Sequence, residues 1–374
     1  MRANGGFAGS YATIMMNYPK MDASFQDIYV PNGQLQGYVV SPEPIQDAFQ
    51  HGSWELANAD WDPDFATASA TLRWFFEKGN EINPDNLVIL NLSTIRKVLN
   101  VVGSFSVPEY QANLTPDNFY LFLQGKVEIG FFPGSTQKKD VLTAVGQALK
   151  QKIIHLSLLK KIQIANIIYQ DLQNKNIVIN STNHDFQSLL EAKSFAGAIT
   201  TTTPDTYMLV ETNLGANKAN AYVTRQTDHT ITFSGDKVTH QITIKFANSS
   251  PEANPNPPFQ YGGNYIAYLR FYIPGNAGDI HLDREVPNEG DKSTEKYHLT
   301  KEVDYGLINL GFFQITPAQG QTSVTLSYTL PISQNNYSLT ILKQHGMVSS
   351  PQSLTINDKK YFTNLTGDFI LRHP

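Results

Sequence analysis

Four stretches of this chain combine residue types that can do chemistry. Gly5-Gly-Phe-Ala-Gly9 is a glycine-rich turn whose backbone N–H groups can cradle a phosphate. The same glycines equally serve a tight turn that needs φ > 0. No helix pattern follows directly, so neither a P-loop nor a dinucleotide fingerprint fits. Asp60-Trp-Asp-Pro-Asp64 gathers three carboxylates around an indole, which suits a metal site or a sugar platform. It also reads as a capped helix start, and that reading accounts for Pro63. Asp279-Ile-His281-Leu-Asp283 sets three donor groups on one face of an expected strand, two of them hard carboxylates suited to a weak divalent site. With no second cluster beside it, a solvated strand explains it as well. Asn213 to Asn220 is a polar loop that can hold a ligand, meet a neighbouring domain or satisfy its own turns. No spacing supports a Ser/His/Asp, HExxH or paired-carboxylate arrangement. The chain has no Cys, which excludes thiol catalysis, disulfides and Cys-based metal sites.

The elements that must position these groups change character along the chain. Ala12 to Met16 and Ala23 to Tyr29 read as adjacent strands joined through Asn17-Tyr-Pro-Lys20, with Ala12 to Met16 expected in the centre of a sheet. Asp62 to Lys78 is the best-signalled helix, with Asp62 as cap, Pro63 at its first position, and Phe65, Ala68, Leu72, Phe75 and Phe76 as an apolar stripe. Leu87 to Leu90 reads as a short strand and Thr94 to Val101 as a helix stopped by Gly103. Further helices are expected from Thr115, over Lys138 to Lys150, near Ser157 to Leu172 and over Asp185 to Ala192, with a strand at Ile177 to Ile179. Strands alternating with helices predict a layered α/β domain over residues 1–200. After the polar break Thr200 to Pro204, period-two alternation takes over. Val238, Ile242, Ile244 and Phe246 face one way and Thr239, Gln241, Thr243 and Lys245 the other. Val324, Leu326, Tyr328 and Leu330 repeat the pattern. Residues 205–374 are therefore expected to form an antiparallel β-sandwich, making the chain a multidomain α+β protein.

Composition bounds the function. At 374 residues, two domains are the natural expectation, and 41% hydrophobic content is enough for a sizeable core. Charged residues make up only 16%, below the usual quarter or so, and Asn, Gln, Ser and Thr fill the gap, a surface that suits an extracellular protein. A net charge of −5 argues against nucleic acid as a partner. No signal peptide or long apolar run is present. The first strand follows Met1 so abruptly that Met1 is expected to be internal to a longer, N-terminally truncated chain.

Arg2-Ala-Asn-Gly-Gly-Phe-Ala-Gly-Ser resembles the R-x-x-G-G-F-x-G-S signature of an uncharacterised bacterial cell-envelope family, described only as a domain of unknown function. Asn58 to Phe65, the Val101-Val-Gly103 turn and Asn213 to Asn220 match it in the same order. More distantly, the first half is similar to the LytR-CpsA-Psr phosphotransferases, which attach glycopolymers to the cell wall. The resemblance implies a LytR-CpsA-Psr-like core, a membrane anchor preceding Met1, a position on the extracellular face of a bacterial membrane or in the cell wall, and a cell-wall or surface polymer as partner. It also implies roles for two residues. Arg2 would bind a lipid diphosphate, and Asp27 would help to hold Mg²⁺, the one cofactor that a transferase would need. These are the catalytic candidates, with Asp27 as the metal candidate, and a guanidinium fork and a carboxylate suit those tasks. One departure matters: the enzymes' Pro-Arg-Asp-Thr run is Phe25-Gln-Asp-Ile28 here, so a diphosphate-binding Arg becomes Gln26. The other ligand-binding candidates are Gly5, Gly6, Asp62, Asp64 and Arg73. Before Gly125 the basic residues are only Arg2, Lys20, Arg73, Lys78, Arg96 and Lys97, with His51 beside them. That sparsity favours binding or assembly over glycopolymer transfer, with a purely structural envelope module as a third reading.

Overall fold

The computed structural model describes residues 2–17, 20–50, 52–128, 137–253, 262–284 and 298–372. The Tyr18-Pro19 part of the expected turn lies outside them, as do residues 254–258 of the stretch Asn248 to Pro258, which its prolines and asparagines mark as a long loop.

Alternation builds the C-terminal half as expected. One six-stranded sheet runs in the order β12 (Thr300–Asp304), β13 (Leu307–Thr316), β10 (Tyr265–Pro274), β7 (Asp205–Asn213), β15 (Ser338–Leu342), β18 (Phe369–Arg372). The other runs β11 (Gly278–Arg284), β14 (Gly320–Leu330), β9 (Lys237–Asn248), β8 (Val223–Ser234), β16 (Pro351–Ile356), β17 (Lys359–Asn364). All pairs are antiparallel except β7–β15 and β8–β16. Ile242, Ile244, Leu326 and Tyr328 from one sheet meet Leu269, Phe271 and Phe312 from the other in one continuous core. Two packed sheets sharing a core are a β-sandwich.

The N-terminal half contains β1 (Ser10–Asn17), β2 (Lys20–Asp27), α1 (Tyr29–Asn32), α2 (Glu43–Phe49), α3 (Phe65–Lys78), β3 (Asn86–Leu90), α4 (Leu92–Val102), β4 (Phe105–Val107), β5 (Ala112–Leu114), α5 (Phe119–Glu128), α6 (Gln137–Ile154), α7 (Leu158–Gln173), β6 (Ile177–Ser181) and α8 (His184–Ala192). The α3 stripe Phe65, Ala68, Leu72, Phe75 and Phe76 is buried, as its spacing predicts, against Ile28, Leu56 and Val178. A second small core joins Leu99, Phe105, Val107, Leu114, Phe119, Val141 and Val145.

Three expectations are corrected. Ala12 to Met16 is not a central strand. Among the described residues β1 pairs only with β2, and Ile14, Met15 and Met16 are 57%, 51% and 79% exposed. β3 and β6 pair with each other, and Tyr11, edge-on to Phe76 at 5.0 Å, ties β1 to the α3 core. The strands of the first half form three separate two-stranded antiparallel ladders, β1–β2, β3–β6 and β4–β5, and no layered parallel sheet among the described residues. The protein is α+β rather than α/β in this half. Finally, the α3 cap is Asp64, which accepts from the Thr67 N–H at 3.0 Å, and Asp62 instead accepts from the Asp64 N–H at 2.8 Å. Pro63 thus precedes the cap, where its fixed φ shapes the approaching chain.

Because the sandwich has its own continuous core, residues 205–374 expressed alone should unfold cooperatively with a β-rich circular dichroism spectrum. A fragment without a transition would mean that the sandwich depends on the helical half.

Candidate functional site

The N-terminal segment is threaded between the helical half and the sandwich. Arg2 is buried, and its Nε and Nη2 donate to Asn58 Oδ1 at 3.1 and 2.9 Å. Its Nη1 donates to the carbonyl of Asn213, the first residue of the polar loop singled out in the sequence. Its own carbonyl accepts from Gln344 Nε2, which also donates to the Glu211 carbonyl. Two residues on, Asn4 donates to the Asp62 carbonyl at 2.6 Å and accepts from His345 Nδ1 at 2.7 Å. Burial holds the His345 imidazole well below its ordinary pKa, helped by Lys175 and Lys343, so it is the neutral ring that donates.

Gly5 is a packing glycine. Its φ is +125°, its N–H donates to the Arg2 carbonyl at 3.1 Å, and a Cβ there would lie 2.2 Å from Asn91 Oδ1. That N–H therefore belongs to the turn, whereas Gly6 is exposed with open space about it. Asp60 is buried beside Arg2, and its Oδ1 has no hydrogen-bond partner. Burial raises its carboxyl to about 6 against the opposing Arg2 charge.

Asp27 is buried a short way off. It accepts from Lys138 Nζ at 3.2 Å and from the Tyr29 N–H at 3.1 Å, while Lys138 also donates to the Gly9 carbonyl. Arg2 and Asp27 thus hydrogen-bond different partners, yet both act on the Tyr29 hydroxyl. Burial raises that hydroxyl's pKa first, Glu55 and Asp27 raise it further, and Arg2 opposes them. Lys138 lies on α6, 111 residues from Asp27 in sequence, and nothing in the local pattern pointed to it.

The other candidates separate. Asp62 accepts from the Tyr305 hydroxyl at 2.6 Å, and Asp64 accepts from the Ile199 N–H at 3.0 Å, so the acidic run ties α3 to its surroundings. Trp61 carries Arg270 over its ring at 4.5 Å and accepts from it through its carbonyl at 2.7 Å. Arg73 donates to the Pro84 carbonyl at 3.1 Å and to Asn180 Oδ1 at 2.6 Å, tying α3 to the β3–β6 ladder. The Asn213 loop is also held by its own turns: Asn213 Oδ1 accepts from the Gly215 N–H and Asn217 Oδ1 from the Ala219 N–H. In Asp279-Ile-His-Leu-Asp283, a register shift between Gly278 and His281 and a φ of +49° at Asp279 take the first carboxylate off the shared strand face. Asp279 accepts instead from Thr329 Oγ1 at 2.9 Å. Among the described residues, no three His, Asp or Glu side chains converge in a cation-sized group.

Two buried networks inside the sandwich had escaped the sequence. Asp205 Oδ2 lies 3.2 Å from His240 Nε2 and accepts from the Tyr337 hydroxyl at 2.6 Å, and His240 Nδ1 lies 2.9 Å from His229 Nε2. Burial, then His240, lowers the His229 pKa well below the ordinary value. Glu211 lies 2.6 Å from Arg225 Nε and accepts from the Tyr265 hydroxyl at 2.8 Å. Their partners lie up to 132 residues apart, so no spacing motif reveals them. Inside the sandwich Glu211 and Arg225 form a paired core charge, and Asp205 joins His240, His229 and Tyr337 in a buried polar cluster.

Residues 1–127 match the model of a family described as protein of unknown function (DUF4012). The match runs from the Arg2 segment through most of α5 and takes in three of the four stretches that resemble the envelope family. Asn213 to Asn220 lies outside it. No curated protein matches the chain. Among solved structures, a Legionella pneumophila protein described as a candidate nutrient binding protein superposes with a TM-score of 0.27 at 7% identity. The superposition covers 41% of this chain and 54% of that one, so this chain spans about half of its length, and a likeness that loose bears on neither fold nor ligand.

The raised Asp60 carboxyl has a thermodynamic consequence. Its ordinary value is 3.8, so between about pH 4 and pH 6 the folded chain holds this proton more tightly than the unfolded one. Stability from this group therefore falls as pH rises through that window, by on the order of 3 kcal/mol at about 1.4 kcal/mol per unit. Asp60→Asn should remove that term. The unfolding free energy of the variant, relative to wild type, should rise by about that amount between pH 4 and pH 7 in urea titrations. An unchanged difference would show that Asp60 is not desolvated as described.

Proposed function

We propose that this protein acts at the extracellular face of a bacterial membrane or in the cell wall, as a surface protein with a binding or assembly role toward a cell-wall or surface polymer. The observation that carries the preference for binding over catalysis is the engagement of Arg2. Its fork is occupied by Asn58 and the Asn213 carbonyl and is buried between the two halves of the chain. A phosphate-binding arginine must present that fork to its ligand. The low charged fraction and neutral-polar surface support an extracellular setting, and the net charge of −5 supports a partner other than nucleic acid. On this reading the chain is two domains, residues 1–200 and 205–374.

The alternative is a LytR-CpsA-Psr-like enzyme that moves a glycopolymer from a polyprenyl diphosphate to the wall. One observation favours it. Arg2, Asp27 and Lys138 lie around the same tyrosine, close to the Gly5–Gly9 turn, and a diphosphate–Mg²⁺ complex would need such a cluster of charge. In that case Asp27 would hold the metal and Lys138 would supply a cation in place of the arginine missing at Gln26.

Gln26→Arg separates the two, because it restores the group that the enzymes use. With polyprenyl diphosphate and Mg²⁺ in a calorimetric titration, we expect no binding by either the wild type or the variant, whereas purified wall glycopolymer should bind the wild type saturably. Diphosphate binding that Gln26→Arg strengthens by about tenfold or more, the worth of one charge-assisted contact, would replace the binding role with the transferase. Arg2→Ala should lower stability by roughly 2–4 kcal/mol through the partners it leaves buried and unpaired, read as a fall in Tm. A variant with unchanged Tm would contradict the clamp described for Arg2.

A further inference from the structure

Helix α7 has two apolar faces. Ile164, Ile167 and Asp171 turn toward α4 and β6, with Asp171 held by Lys97 at 2.5 Å and Thr94 at 2.6 Å. Leu158, Ile162, Ala165 and Tyr169 recur at i, i+4, i+7 and i+11 and form a second stripe on the opposite side, open to solvent. Leu158 and Leu159 are 72% and 74% exposed, and Ile154, at the end of α6, is also exposed. Single exposed aliphatic residues are ordinary, but a contiguous group of this kind marks an interaction surface.

The charge at this corner is one-sided. From Val141 to Gln170 the chain contains no Asp or Glu, in a protein whose net charge is −5. The same span carries Lys150, Lys152, Lys160 and Lys161, all exposed, around the turn from α6 to α7. Lys152 and His155 also line a shallow open groove of about 400 Å³ against the hydroxyls of Ser104 and Ser106. The β1–β2 hairpin points the same way. Asp27 sits beside Lys138 near the start of α6, and Phe25 lies against Gly146 further along it. The hairpin thus runs back toward the C-terminal half of α6 and carries exposed Met15 and Met16.

Exposed aliphatic side chains beside exposed lysines, in a span without Asp or Glu, are complementary to the headgroup region of an anionic bilayer. We propose that the α6–α7 corner docks on an anionic lipid surface, with Leu158, Leu159 and Ile162 entering the interface and the four lysines meeting the headgroups. This contact goes beyond the polymer-binding role and is separate from any N-terminal anchor.

The test is co-sedimentation of the purified chain with vesicles of phosphatidylcholine, with and without phosphatidylglycerol. These contain no glycopolymer, so the outcome does not depend on the function proposed above. The chain should bind the phosphatidylglycerol vesicles, not the neutral ones, and should be released by high salt. The double variant L158D/L159D should weaken binding by at least about tenfold. Replacing the four lysines by Gln should weaken it by about a hundredfold or more, at about 1 kcal/mol per lysine. All six positions are exposed, so far-UV circular dichroism and Tm should match wild type. Equal binding to neutral vesicles, absence of binding, or full binding by L158D/L159D would overturn the proposal. So would concentration-dependent dimerisation that L158D/L159D abolishes in the absence of vesicle binding, because the occupant would then be a second copy of the chain.

Discussion

A guanidinium taken out of water must meet oxygen along every edge of its fork, and the arrangement around Arg2 follows from that requirement. Burial lowers the Arg2 pKa while Asp60 and Tyr29 hold the charge in place. Asn58 comes from the segment before α3 and the Asn213 carbonyl from the end of β7, so satisfying one side chain fixes the helical half against the sandwich. The main chain beside it completes the joint, with Gln344 bridging the Arg2 and Glu211 carbonyls and His345 capping Asn4. Each of these groups would be costly to leave unpaired once buried. The same packing dictates Gly5 and Gly346: a Cβ on Gly346 would lie 2.5 Å from the Gly5 Cα, so the two segments approach at backbone distance.

A second polar seam runs beside the first. Lys343 is fully buried and donates to the Asn174 carbonyl at 2.7 Å and to Asn176 Oδ1 at 3.2 Å, and burial, reinforced by Lys175, lowers its pKa to about 7. Lys175 in turn pairs with Asp368 at 2.6 Å, and its carbonyl accepts from the Gly346 N–H. The joint between the halves thus combines directional polar contacts with apolar clusters, in which Ile45, Trp54 and Trp61 pack with Leu214, Tyr268 and Phe313, and Ala3 with Met208, Val210 and Tyr272. The polar contacts specify one relative placement, since a small shift breaks several hydrogen bonds at once, whereas an apolar interface tolerates sliding.

What was legible in the sequence follows the range of the forces involved. Period-two alternation in Val238 to Phe246 and Val324 to Leu330 is a local property, and those strands pair with each other in one sheet. The α3 stripe and the helix pattern near Ser157 to Leu172 are local too, and both hold. Ala12 to Met16 misled because a short apolar run has the same composition whether it lies inside a sheet or on a projecting hairpin, and only its partners decide. Asp279 misled because a bulge moves one residue off a strand face without changing the spacing. At the candidate site, the buried state of Arg2 and Asp27 depends on Asn213, Lys138 and Gln344, which lie between 111 and 342 residues away from the groups they contact. No pattern of neighbours encodes such pairings. The motif residues were found, but the work they do was not.

That difference bears on how glycine-rich and acidic motifs should be weighed. Gly5, Asp62, Asp64 and Arg73 have the residue types of a ligand site, yet each has a structural partner that accounts for it: Asn91, Tyr305, Ile199 and Asn180. A binding surface instead needs groups that the fold itself does not require. Leu158, Leu159 and the lysines around them answer to that description better than the N-terminal motif does, since α7 already has a sufficient buried face without them. The span from Val141 to Gln170 brings lysines to this corner and carries no Asp or Glu. A partner of negative charge would be attracted to such a corner.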